Sequence, residues 1–296
     1  MSDAPEMVHD EATRSVVERV FRILSAFDGE RRELGISELT AATGLPKSTV
    51  HRMASDLVEC GMLVAIGSRY RVGIRLFELG SRWLPSNMKD LIDPYLKDLS
   101  SLTRGVVQGA ILEGVDVVFY ERMAFHVWKG PPARIGSRRP AYCTALGKAN
   151  LAYSPDDVVA RVIHSGLARR TRFTITDAAT FRAELAGIRT AGVARDRQEF
   201  QLGVECVAAP CLSANHVAMA AISVSVAAGT EDLDALGQSV RRVAEIIGRI
   251  IRSSPPNYAV ATTLGRAGTW QGRFDQDTGE PTRVTKRPDR TGQDRT

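Results

Sequence analysis

Five side chains in one short stretch carry the most suggestive chemistry. Lys47, Ser48, His51, Arg52 and Ser55 fall at i, i+1, i+4, i+5 and i+8, the spacing of one helical face. Thr49 adds a hydroxyl near the start of that stretch, and no acid appears until Asp56. Such a face suits the major groove of DNA. Lysine and arginine reach phosphates or base edges, while hydroxyls and the free N–H groups of a helix start meet phosphates. The bland alternative is the solvated face of a structural helix, and charge alone does not separate the two.

The surrounding elements favour the first alternative. Val17, Val20, Leu24 and Phe27 predict an amphipathic helix from Ser15, stopped at Asp28-Gly29. A charged loop, residues 30–33, follows. Ser37 is the expected N-cap of a short helix running to Thr43. Gly44 supplies the turn, and Pro46 suits the first turn of a third helix that ends near Glu59. Val50, Met53, Leu57 and Val58 give that helix its core face. Residues 63–66 and 69–72 then read as a hairpin about Gly67-Ser68. Helix, helix, turn, helix, hairpin is the order of a winged helix-turn-helix. Arg69 and Arg71 on the hairpin extend the basic surface toward flanking phosphates or the minor groove.

With 296 residues the chain is long enough for a second domain. A connecting helix is expected over residues 76–90, interrupted near Pro85-Ser86, with a second domain opening at Asp93-Pro94. Strands are expected over residues 106–112, 115–121, 206–211 and 217–226. Helices are expected from Ala145, from Pro155, from a cap at Thr176, and over residues 232–251. The fold class is therefore α/β of the mixed α+β kind, with an antiparallel sheet in the second domain. Residues 254–296 are poor in aliphatic side chains and are expected to be disordered.

Several function classes recede. Cys60, Cys143, Cys206 and Cys211 form no CxxC pair, and no histidine stands at ligand spacing from them, so no metal or other cofactor is expected. The polar, acidic start lacks signal-peptide character, and no apolar run suits a membrane helix, so a cytoplasmic location is expected. A net charge of +5 permits a nucleic-acid partner without requiring one. Cys143 or Cys206 with His126, His164 or His216 would be the parts of a nucleophilic enzyme, but no spacing supports it and the chain is read as a non-enzyme. A protein-interaction module without DNA binding is the remaining rival.

At this point a resemblance becomes specific. Ile36-Ser37-Glu38-Leu39, residues 43–52 from Thr43-Gly44-Leu45-Pro46 to His51-Arg52, and Tyr70-Arg71-Val72-Gly73 resemble the DNA-binding domain of the IclR family of bacterial transcriptional regulators. Residues 141–149, Thr174-Ile175-Thr176-Asp177, Glu199-Phe200, residues 206–210 and residues 221–225 resemble segments of that family's second domain, in the same order. The resemblance covers about residues 15–252. It implies a winged helix-turn-helix over residues 13–75, a linker helix over 76–90 and a GAF-like effector domain over 91–253. It implies double-stranded operator DNA and a homodimer or homotetramer as partners. The commoner family role is repressor, with activator as the alternative.

The resemblance also implies a pocket for a small organic effector, carried onto Ala145, Leu146, Asp196, Cys206, Ser223 and Ser225. Ser223 and Ser225 share a strand face, and Cys206 is a small polarizable wall. Arg139 stands just before the Cys143 segment. If it points inward, an acidic effector is favoured, because guanidinium matches carboxylate; if outward, it is only a surface charge. Two residues depart from the family pattern: Tyr142, where histidine is common, and Glu205 before Cys206.

Overall fold

The computed structural model describes residues 15–27, 31–81, 86–124, 133–253, 273–274 and 281–282. The described residues fall into two compact units, one up to residue 81 and one from residue 86 to 253. Residues 254–296, expected to be disordered, lie outside the description, apart from an antiparallel pairing of Arg273-Phe274 with Pro281-Thr282. Among the described residues no helix is long and apolar enough to cross a membrane.

The first unit comprises α1 (Val16–Ser25), β1 (Glu33–Gly35), α2 (Ile36–Thr43), α3 (Lys47–Glu59), β2 (Leu63–Ile66), β3 (Arg69–Val72) and α4 (Ile74–Gly80). Ser15 caps α1 by accepting from the Glu18 N–H at 3.1 Å. The fully buried residue of α1 is Ile23, whereas Val17, expected on the core face, is 77% exposed. The apolar stripe is thus narrower than the pattern suggests, with Val20, Leu24 and Phe27 flanking Ile23. The expected stop at Asp28-Gly29 lies outside the described residues; α1 itself ends at Ser25.

The charged segment expected as loop ends in a strand. β1 pairs with β3, completing a three-stranded wing in the order β1-β3-β2. A three-residue strand shows no alternation in sequence; it exists because β3 offers it an edge. The cap of α2 also shifts. Gly35, still extended as the chain leaves β1, is the N-cap, and the Glu38 carboxylate accepts its N–H at 2.7 Å. Ser37 comes too late for the role expected of it. Gly44 ends α2 in the left-handed region (φ +66°), its N–H bonded to the Thr40 carbonyl at 2.9 Å. An L-side chain there would be strained, so the turn into α3 rests on this glycine. Leu39, Leu45, Val50, Met53, Ala54, Leu57 and Leu63 close the core beneath it.

The second unit opens with α5 (Ser86–Thr103). Pro94 lies inside this helix rather than at a domain start, so α5 runs straight through the expected boundary and gives up one backbone hydrogen bond. A six-stranded, wholly antiparallel sheet follows: β4 (Val106–Glu113), β5 (Asp116–Met123), β6 (Arg138–Pro140), β7 (Ala194–Arg197), β8 (Val204–Leu212) and β9 (Ala218–Ala227). Its order is β6-β5-β4-β9-β8-β7. The edge strands β6 and β7 were not expected.

The sheet separates two apolar layers. Val107, Val207, Ile222 and Val224 face α5 and the closing helix α9 (Leu233–Ser253). Ala110, Ala208 and Ala221 face α6 (Ala145–Leu151), α7 (Asp156–His164) and α8 (Ala178–Ala191). These three alanines keep the α6 face low, which lets the helix approach the strands. α8 is capped by Asp177, not Thr176: its carboxylate accepts from the Thr180 N–H at 2.7 Å.

Candidate DNA interface and ligand cleft

The α3 residues separate as their periodicity requires. Val50, Met53, Ala54 and Leu57 are buried, while Lys47, Ser48, His51 and Arg52 are exposed. Thr49 and Ser55 are half-buried at the edge of that face, and the Ser55 hydroxyl is turned onto its own helix, donating to the His51 carbonyl at 3.1 Å. Among the described residues no side chain caps α3 and no acid sits in its first turn. Its first N–H groups therefore keep their partial positive charge, which suits a phosphate.

The wing is more constrained than its sequence suggests. The Arg69 guanidinium donates to the Glu33 carbonyl at 2.7 Å and pairs with Glu38 at 2.8 Å. Glu38 is the residue that closes the α2 start, and the N–H of Gly35 with the charge of Arg69 holds its carboxyl below the usual carboxylate range. Arg69, expected to reach flanking phosphates, instead clasps the wing to α2. Arg71 is the guanidinium left exposed on β3.

In the second unit, Arg139, Ala145, Leu146, Asp196, Cys206, Ser223 and Ser225 all line one cleft of about 610 Å³, its mouth included. The register shows how six strands assemble it. Asp196 stands opposite Cys206, and Cys206 opposite Ser225; one row on, Ala208 stands opposite Ser223, Ser223 opposite Gln108, and Gln108 opposite Arg122. Directly opposed residues share a face, so these two rows form the floor. Phe119 and Phe200 supply aromatic walls.

The polar groups of the floor are mostly spoken for. The Ser225 hydroxyl donates to Gln108 Oε1 at 3.1 Å and lies 3.0 Å from Cys206 Sγ. Asp196 Oδ1 accepts the Glu199 N–H at 2.7 Å. Burial and the charge of nearby Glu199 push the Asp196 carboxyl up to about 7, partly offset by that bond. Ser223 differs: it is 1% exposed, and its hydroxyl has no hydrogen-bond partner among the described residues. Arg139 points inward, its guanidinium 4.3 Å from the centre of the Phe200 ring, with Arg170 at 4.9 Å from the same ring. Burial, then repulsion from Arg170, lowers the Arg139 pKa.

Behind the cleft lies a buried charge cluster that sequence reasoning missed. Lys148 is fully buried and donates to Glu199 at 2.6 Å and Glu184 at 2.8 Å. Burial works against its charge, but the two carboxylates outweigh it and raise its pKa. Gln108, Phe119, Arg122 and Phe200 were likewise not expected in the cleft. Phe200 had a signal, since it lies in a segment that carries the resemblance. Tyr142 and Glu205, the two departures, do not line the cleft. The Tyr142 hydroxyl donates to the Ala168 carbonyl at 2.7 Å, and Glu205 accepts the Gly229 N–H at 3.0 Å.

Neither Cys143 nor Cys206 is set up as a nucleophile. Burial pushes the Cys143 thiol up to about 12 and raises that of Cys206, the opposite of what a thiolate nucleophile needs. His164 closes α7, His216 sits in the turn between β8 and β9, and His126 lies outside the described residues. No group of three or more histidine, cysteine or acidic side chains suited to a metal occurs among the described residues.

Comparison with known proteins fits both halves. The model of the IclR helix-turn-helix domain matches residues 16–66, and that of the bacterial transcriptional regulator IclR C-terminal domain matches residues 85–249. The chain is similar to the HTH-type transcriptional regulator KdgR of Escherichia coli K12, 33% identical over 71% of this chain and 81% of that protein. It is also similar to the transcriptional repressor IclR of the same organism, 28% identical over 70% of this chain and 78% of that one. An IclR homolog from Microbacterium hydrocarbonoxydans, solved in complex with 4-hydroxybenzoate, shares its structure with a TM-score of 0.75 at 28% identity, over 81% of this chain and 100% of that one. The chain belongs to the IclR family and is a DNA-binding transcriptional regulator.

Proposed function

We propose that the chain is an operator-specific repressor whose DNA affinity is set by a small organic acid bound in the cleft. The observation that carries the cleft assignment is Ser223. A buried hydroxyl without a partner is unfavourable, by about 1–3 kcal/mol, and a polar ligand is its natural complement. Arg139 over Phe200 would take the carboxylate, with Phe119 and Phe200 against the ligand body. The structural relative that holds 4-hydroxybenzoate supports an acid of this size.

On the DNA side, Lys47, Ser48, Thr49, His51 and Arg52 would enter the major groove, with Ser55 at the edge and Arg71 on flanking phosphate. Two copies would present two such helices to a pseudo-palindromic site in the cytoplasm. Exposed apolar side chains on α1 (Val16, Val17, Phe21) and α4 (Ile74, Phe77) are the candidate contacts between copies. The ligand would act by favouring one arrangement of the DNA-binding units over another. The repressor role follows one named relative, the transcriptional repressor IclR of Escherichia coli K12.

The test is operator binding, using duplexes selected from a random pool, with and without an acid that raises the melting temperature. The expected outcome is a two-fold-related site whose affinity changes when the acid is added. Equal affinity with and without the bound acid would sink the coupling. Tight binding that survives the double substitution Lys47→Ala, Arg52→Ala would sink the helix assignment.

A further inference from the structure

Arg122 reaches the cleft through an irregularity of β5. The register runs Ala110 opposite Phe119 and Gly109 opposite Glu121, so Tyr120 is an extra residue opposite β4. A one-residue insertion of this kind reverses which side chains face which way beyond it. Tyr120 packs over Gly109, where a Cβ would stand 2.7 Å from the tyrosine ring, so only glycine admits the bulge in this form. Beyond it, Glu121 turns toward α5 and pairs with Lys89, while Arg122 faces the cleft opposite Gln108.

The cleft therefore contains two guanidiniums, Arg122 and Arg139, and among the described residues neither forms an ion pair. Arg122 Nε is buried with no hydrogen-bond partner. Arg139 rests on Phe200 rather than on an acid. Arg139 stands opposite Val117, five positions along β5 from Arg122 with the bulge between. At about 3.3 Å per strand residue their backbones are on the order of 13 Å apart. That spacing suits two separate anion contacts better than one shared site. Among the described residues Asp196 is the single acid lining the cleft, and burial favours its neutral form.

From this we infer that the cleft selects a dicarboxylate, one carboxylate meeting Arg139 and the other Arg122. The inference rests on the assignment of the cleft as effector site and adds the second charge. Two unpaired cations in a half-enclosed space leave a monoanion one contact short; a dianion satisfies both.

The experiment is calorimetric titration of the full chain with matched acids: adipate against hexanoate, and terephthalate against benzoate. In at least one pair the dianion should bind about tenfold tighter or more, the worth of one charge-assisted contact. Arg122→Gln should abolish that preference, Arg122→Lys should restore part of it, and Arg139→Gln should weaken both classes. Thermal melting of each variant separates misfolding from lost contact. Monoanions binding as tightly as dianions, or a preference that survives Arg122→Gln, would overturn the second contact while leaving the effector cleft standing. Failure of all four acids to bind would overturn both.

Discussion

The two units present their polar chemistry in opposite ways. In the first, the side chains proposed for DNA, Arg71 of the wing apart, lie on one continuous helix at or near its solvent face, above a core that does not involve them. In the second, they come from the strands of a six-stranded sheet and are largely buried, tied to one another by short bonds. Removing an α3 side chain therefore deletes a contact with a partner and little else. Removing a group from the cleft or its support disturbs the fold as well. Surface recognition and stability are separable in one unit and entangled in the other.

Lys148→Met probes that contrast hardest. It leaves Glu199 buried without its cation, a loss of about 3–5 kcal/mol by urea denaturation. A loss near zero would show that the cluster is not a structural element of the second unit.

Asp196 gives the contrast a pH signature. Its folded carboxyl titrates near 7, above the ordinary 3.8, so the fold favours the protonated form. That contribution is fully present below about pH 4 and is lost as the pH rises through about 7. Asp196→Asn should flatten this decline, so that the substitution is more favourable at pH 8 than at pH 4, by up to about 4 kcal/mol. Parallel stability curves for the two proteins across that window would refute the buried-acid account.

On the other side of the contrast, Lys47→Ala and Arg52→Ala should each weaken operator binding by about 1–3 kcal/mol and lower the salt slope by about one. Melting should stay at the wild-type temperature, since both side chains are exposed. A fall in melting temperature would erase the proposed separation.

The smallest effect is expected at Arg69→Ala. The pair with Glu38 is solvent-exposed, so the loss of stability should be slight. Operator affinity should change less than for Arg71→Ala, measured by the same binding assay. A reversal of that order would return Arg69 to the DNA surface.

The same contrast explains what was legible in sequence. Helical periodicity keeps all its information within about a dozen residues, so the α3 face, the Gly44 turn and the wing hairpin could be read directly. Strand faces hold theirs in register, which depends on partners elsewhere in the chain. The strands β1, β6 and β7 have three or four residues each, too short to show alternation. The cleft residues came from resemblance; spacing alone gives only that Ser223 and Ser225 share a face. Arg122 was invisible because the parity of β5 changes at Tyr120, and the role of Arg69 because Glu33 and Glu38 stand 36 and 31 residues away.

The bulge also ties the polarity of the cleft to strand register rather than to composition. Straightening β5 so that Tyr120 itself paired with Gly109 would draw Glu121 into line opposite Gln108 and turn Arg122 toward α5. A one-residue shift in pairing would then exchange a cationic lining position for an acidic one with no side chain substituted. Gly109, which leaves room for the Tyr120 ring, therefore helps to set the sign of the charge that lines the cleft.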